Sequence, residues 1–148
     1  MNTTNVLKMK LFLAVLISIA IFTSCKKEET EKCSINMTSL SGAYKLTSLK
    51  YKSSSNAAEQ DYLVFLDDCE KDDLTVLKSD GTYIGKDEGK TCTPGKDENG
   101  TWSLNGNTIN SDGLMDGTIK SFDCNTLVFF TADIYTSGDQ LIFTMIKQ

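Results

Sequence analysis

From residue 42 onward, apolar and polar positions alternate in short runs separated by turn residues. A period of two is that of β-strands, whose successive side chains point to opposite faces. The pattern predicts eight strands, over residues 43–52, 74–79, 82–86, 100–104, 107–111, 118–122, 127–134 and 140–146. Asp80-Gly81 and Asn105-Gly106 separate two neighbouring pairs. Both dipeptides suit tight hairpin turns, where the central residues need positive φ. A turn at Asn105-Gly106 places Trp102 opposite Ile109, with Leu104 on the same face; an aromatic facing a β-branched residue is a favourable pair. Tyr44 and Leu46 share a face of the first strand. With Phe129 from the apolar run 127–130, these residues form the candidate interior, either a filled core or a ligand wall. The short connections between the strands favour the filled core. Asn56-Ala57-Ala58-Glu59 reads as a capping box, which predicts a short helix after the first strand. Tyr62, Leu63 and Leu66 fit one face of that helix; residues 62–66 fit a buried strand equally well.

The first 24 residues follow another pattern. Lys8 and Lys10 precede an apolar run over residues 11–22, interrupted by Ser18 alone. Twelve residues suit the core of a secretion signal, whereas a spanning helix needs about 20. Phe22-Thr23-Ser24-Cys25 resembles the bacterial lipobox. Residues 1–24 are then a lipoprotein signal peptide, and Cys25 becomes the acylated N-terminus, a palmitate-type anchor in membrane lipid. Lys27, Glu28 and Glu29, directly after Cys25, resemble the surface-export signal of lipoproteins in one group of Gram-negative bacteria. The expected location is the cell envelope, lipid-anchored in the outer membrane and exposed at the cell surface. Residues 25–38 lack periodicity and read as a lipidated tether, leaving residues 39–148 as an all-β domain.

Charge and composition narrow the chemistry. The net charge is −5, and cleavage before Cys25 leaves 13 lysines against 20 acidic residues, about −7. Such a surface does not suit nucleic acid. With no histidine in the chain, a Ser-His-Asp triad and a His-ligated zinc site are both excluded. Asp67, Asp68, Glu70, Asp72 and Asp73 crowd one loop, but their spacing is not that of a calcium loop, and a solvated acidic segment is the reading adopted. No enzyme, metal or cofactor is expected.

Gly42-Ala43-Tyr44-Lys45-Leu46, Cys69-Glu70-Lys71-Asp72-Asp73, Ser79-Asp80-Gly81-Thr82-Tyr83, Cys92 and Gly100-Thr101-Trp102-Ser103-Leu104 follow one another along the chain. In this order they resemble the small lipocalin-like domains of bacterial lipoproteins, with Tyr44 standing where Trp is usual. The resemblance implies an all-β fold, an eight-stranded up-and-down antiparallel barrel; an open β-sandwich is the alternative architecture. It implies binding of a small apolar ligand. The alternative is a filled barrel that presents its loops to a protein or glycan partner.

Four cysteines remain beside Cys25, an even number that outside the cytoplasm suggests two disulfides with three possible pairings. A two-residue turn at Asp80-Gly81 sets Cys69 opposite Cys92. Cys33 with Cys124 follows by elimination.

Overall fold

The structure, a computed structural model, describes residues 33–92, 98–112 and 115–148. Cys25, Lys27, Glu28, Glu29 and the leader lie outside the described residues. Among the described residues no helix is long and apolar enough to cross a membrane.

Among the described residues ten strands form one antiparallel sheet: β1 (Gly42–Lys52), β2 (Gln60–Asp61), β3 (Leu74–Leu77), β4 (Thr82–Lys86), β5 (Glu98–Thr101), β6 (Ser103–Asn105), β7 (Thr108–Asn110), β8 (Gly117–Phe122), β9 (Thr126–Ala132) and β10 (Gln140–Lys147). Their order is β5-β4-β3-β1-β10-β9-β8-β7-β6, with β2 added beside β1. The two ends of this path, β5 and β6, are separated in sequence by Trp102 alone. One bent strand therefore supplies both edges, and the sheet rolls into a nearly closed up-and-down barrel. Closure of this kind removes the exposed edges on which sheets aggregate.

The strand count is ten rather than eight for two local reasons. The strand expected over residues 100–104 breaks at Trp102, whose N–H turns aside to Gly81 O (2.8 Å) while its indole Nε1 donates to Lys78 O (2.8 Å). The second reason is β2, which pairs Gln60 with Tyr51 and Asp61 with Lys50. That pairing also defeats the helix expected from Asn56. The long edge of β1 captures residues 60 and 61, and Tyr62 N donates to Leu49 O (2.9 Å). Helical structure comes later, as a 3-10 turn (Leu63–Phe65) and the single-turn α2 (Asp68–Lys71), where the Glu70 carboxylate accepts from Asp67 N–H (2.8 Å). Another single turn, α1 (Met37–Leu40), precedes β1. Asn36 caps it, its side chain accepting from Ser39 N–H (2.9 Å).

Both tight turns differ from expectation in register. At Asp80-Gly81 the loop has three residues, with Lys78 N bonded to Thr82 O (2.9 Å) and Gly81 at φ 86°. A left-handed glycine closing a three-residue loop is a common bulged alternative to the two-residue turn. Leu77 therefore opposes Tyr83. In the second hairpin the turn moves one residue on, to Gly106-Asn107, and Leu104, not Trp102, opposes Ile109. Trp102 and Ile109 still share a face, because the opposing position moves by two residues, a full side-chain period.

The interior is packed from Leu40, Tyr44, Leu77, Tyr83, Trp102, Ile109, Met115, Ile119, Phe122, Leu127, Phe129 and Met145. Gly100 is required by this packing: it opposes Tyr83, and a Cβ there would lie 2.6 Å from that ring. One end of the barrel is plugged. Leu40 is fully buried, the Tyr44 hydroxyl donates to Leu40 O (2.8 Å), and Lys147 Nζ donates to Ser39 O (2.9 Å). Burial pushes the Tyr44 hydroxyl up to about 12. Ile35 and Met37 pack against the same core, so the last residues of the expected tether belong to the folded unit.

Two disulfides join Cys33 to Cys124 and Cys69 to Cys92. The first ties the lead-in of the plug to the β8–β9 turn. The second does not arise from hairpin register, as the two-residue turn had suggested. Cys69 lies in α2 and Cys92 in the segment after β4, so the bridge fastens a helical turn to a loop.

Candidate functional site: an aromatic cleft at the open end

The inward face of β1 carries Tyr44 and Leu46, then crosses a bulge between Leu46 and Ser48, and continues as Leu49 and Tyr51. Opposite them on β10 stand Met145, Phe143 and Leu141. Burial falls along this row: Tyr44 is fully covered, whereas Tyr51 and Leu141 are only half-buried. The barrel thus opens towards the end of β1 and the start of β10.

The opening holds a cleft of about 420 Å³ lined by Leu49, Tyr62, Phe65, Leu66, Tyr135 and Leu141. Ligand sites generally fall between about 300 and 1,000 Å³, with mostly apolar walls. Aromatic rings organise this one. Tyr51 stacks on Tyr62 at 4.9 Å between centroids, Tyr135 meets Tyr51 edge-on at 5.6 Å, and Phe65 meets Tyr62 edge-on at 5.2 Å. Offset and edge-to-face contacts of this kind add to simple area burial. Phe65 is 75% exposed and Tyr135 65%, so much of each ring faces outward.

Asp139 sets this geometry. It is fully buried, yet no cation neutralises it among the described residues. Its carboxylate accepts from the backbone N–H of Ile134 (2.7 Å), Tyr135 (3.0 Å) and Thr136 (2.9 Å), and from the Tyr51 hydroxyl (3.1 Å). Burial pushes its pKa up, but the donors from Thr136, Tyr135, Ile134 and Tyr51 outweigh burial and hold it below the ordinary 3.8. Tyr51 is shifted upward, first by burial and then by its bond to Asp139 and that carboxylate's charge. One ionised group therefore folds the β9–β10 loop, fixes the cleft wall at Tyr135 and holds the Tyr51 ring on which Tyr62 stacks.

A smaller depression of about 200 Å³ adjoins Leu46, Glu70, Asp73, Met115, Phe129 and Phe143, among others. Phe129 and Phe143 stack there at 4.7 Å. Asp73 is shifted upward by burial and by repulsion from Asp87, Asp72 and Glu70, partly offset by the N–H of Glu88. A groove of about 570 Å³ beside the plug, at Cys33, Ser34, Asn107, Lys120 and Phe122, is larger, but it is more polar and lacks the concentration of aromatic rings. Among the described residues no group of three or more Cys, Asp or Glu side chains is placed to hold a metal.

Of the six interior candidates, Tyr44, Trp102, Ile109 and Phe129 are fully buried, and Leu46 and Leu104 are partly buried against the core. They make up the packed centre, and Leu46 and Phe129 also border the smaller depression. None lines the aromatic cleft. In place of the helix face or buried strand that the pattern offers for Tyr62, Leu63 and Leu66, a 3-10 turn sets Tyr62 and Leu66 in the cleft wall with Phe65 and Tyr135, which the pattern does not mark. The signal for them was faint: Ile134-Tyr135 is an apolar pair placed in a turn.

A small antiparallel barrel, plugged at one end and open at the other over an apolar cleft, defines a class of binding module. The profile of the lipocalin-like domain family matches residues 40–129, and the chain belongs to that family. The match begins at the buried residue of the plug and ends before β10, the strand that seals β9 to β1. No curated protein and no solved structure matches the chain. The family points to ligand binding in general rather than to catalysis.

Proposed function

We propose that the protein is a lipid-anchored lipoprotein of the outer membrane, displayed at the cell surface, whose barrel mouth binds a small apolar ligand. The observation that carries the ligand reading is the 420 Å³ cleft walled by Tyr62, Phe65, Leu66 and Tyr135. The packed centre leaves the mouth as the place for a guest. Support for the anchor comes from the leader and Cys25. The lead-in at Cys33 sits at the plugged end, bound to Cys124. Residues 26–32 allow a reach of at most about 25 Å, so anchoring at Cys25 would turn the plug to the membrane and the cleft away from it.

A native mass spectrum of the purified protein tests the ligand reading. A co-purified small molecule, lost on substitution of Phe65 and Tyr135, is the expected result. Cys25→Ala is expected to release the protein from membranes. Replacing Lys27, Glu28 and Glu29 with Ala should keep the anchor but abolish protease access on whole cells. A second reading, a loop-presenting partner protein, draws on Val64, 65% exposed outside the cleft lining. Capture of a protein or glycan that survives loss of the cleft aromatics would favour it.

A further inference from the structure

We propose that the cleft selects organic cations with an apolar body, alkyl- or arylammonium ions, over carboxylate ligands of the same shape. The inference rests on the cleft being a ligand site and names what that site prefers.

The wall chemistry argues for it. The described lining is Leu, Phe and Tyr only, so phenolic hydroxyls are its sole side-chain polar atoms. A carboxylate entering it would leave water without meeting a cationic partner, which is costly. An ammonium ion would instead meet ring faces, whose quadrupole attracts positive charge, most strongly for soft, weakly hydrated quaternary ammonium groups. Phe65 and Tyr135 supply largely exposed rings. Tyr62 and Tyr51 stand behind them in edge-on and stacked contact.

The surrounding charge has the matching sign. Asp139 is bonded to the backbone of the wall residue Tyr135 and to the Tyr51 hydroxyl behind it, and these hydrogen bonds leave its negative charge in place. Asp61 precedes Tyr62, Asp67 follows Leu66, and Asp133 begins the loop that carries Tyr135. Of these four, only Asp61 is ion-paired among the described residues, to Lys50 at 3.5 Å. Lys50 lies on the outward face of β1, opposite Ile142. The Lys52 ammonium is turned to Ser55 O (2.8 Å). Neither cation lines the cleft. A concave site with a carboxylate behind its aromatic wall concentrates cations and repels anions.

The test uses the purified full-length protein, whose unit Lys32–Gln148 contains the core and both disulfides. Three probes share a phenyl ring on a tetrasubstituted centre that bears at least two methyl groups: phenyltrimethylammonium, the neutral 2-methyl-2-phenylpropan-1-ol, and the anion 2-methyl-2-phenylpropanoate. Binding is followed by calorimetry and by amide shifts of residues 62–66 and 133–139. The expected result is about tenfold tighter binding of the cation than of the alcohol, with the anion weakest. Tyr135→Leu keeps apolar surface but removes the ring, and should bring cation and alcohol to near-equal affinity. Alcohol or anion binding as tightly as the cation overturns the preference and leaves the cleft standing as a ligand site. A preference that survives in both Tyr135→Leu and Phe65→Leu also overturns it. Binding of none of the three overturns the preference and the ligand reading together.

Discussion

The two ends of this barrel are built by the same strands and finished by opposite means. At the plugged end, Leu40 and Tyr44 are sealed by apolar contact, Lys147 crosses to Ser39, and a disulfide spans 91 residues of sequence. At the open end, β1 and β10 keep the same inward alternation, but their last side chains lean on loops. What fixes those loops is hydrogen bonding to Asp139. Stability is thus concentrated where the chain is packed, and the binding surface is held by polar bonds that tolerate exposed rings. Segments with few buried apolar contacts open most readily, so the difference predicts which end yields first under stress.

The harshest way to break the comparison is at the seam. Trp102→Ala removes a buried indole and its bond to Lys78, and is expected to cost about 3–5 kcal/mol in urea unfolding. The loss should be global, with cleft and plug melting together; a local opening confined to the cleft would contradict the role of Trp102 as the joint between β5 and β6. Next come the disulfides. In the chain-entropy account each contributes about 2–4 kcal/mol, more for the longer loop. Removing Cys33–Cys124 is expected to cost about 1 kcal/mol more than removing Cys69–Cys92, given separations of 91 and 23 residues. Equal losses in denaturant would argue against the plug bridge as the stronger tie.

Acid sharpens the comparison further. Asp139 titrates below its ordinary 3.8 in the folded chain. Its contribution is therefore complete above that value and is lost as pH falls through the lowered folded one. Hydrogen exchange is expected to rise at Ile134, Tyr135 and Thr136 in that acid window while Leu40 stays protected; Asp139→Asn should remove the acid dependence of the loop. Alkali separates the ends less cleanly, since Tyr44 and Tyr51 are both shifted upward. With Tyr44 titrating at about 12 when folded against 10.0 unfolded, stability falls as pH rises through that interval. The smallest effect belongs to Tyr135→Leu, a largely exposed substitution expected to change stability by less than about 0.5 kcal/mol while altering ligand preference. Differential scanning calorimetry would register any larger change.

Much of the barrel was legible because alternation with period two is a strong signal, and Tyr44, Trp102 and Ile109 declared their inward face through it; Phe129 sits in a run apolar on both faces, where alternation is silent. The two turns were legible and their registers were not: the second sits one residue on, at Gly106-Asn107. Asp80-Gly81 accommodates a two- or a three-residue loop, and neighbouring strands decide between them. The plug was hidden because one helical turn, Met37–Leu40, is too short to show a period. The cleft was hidden for a different reason. Tyr62, Phe65 and Tyr135 lie in connecting segments, and what gathers them is the distant Asp139 and the edge of β1. Cysteine pairing shows the same limit: Cys69 meets Cys92 through the placement of α2, which no hairpin register encodes.

The adjacency of the first and last strands has a practical consequence. Gln148 N bonds to Ala43 O beside the plug, so a reporter domain fused after Gln148 would hang beneath the barrel and leave its mouth unobstructed. A tag spliced between Asp133 and Asp139 would sit in the doorway.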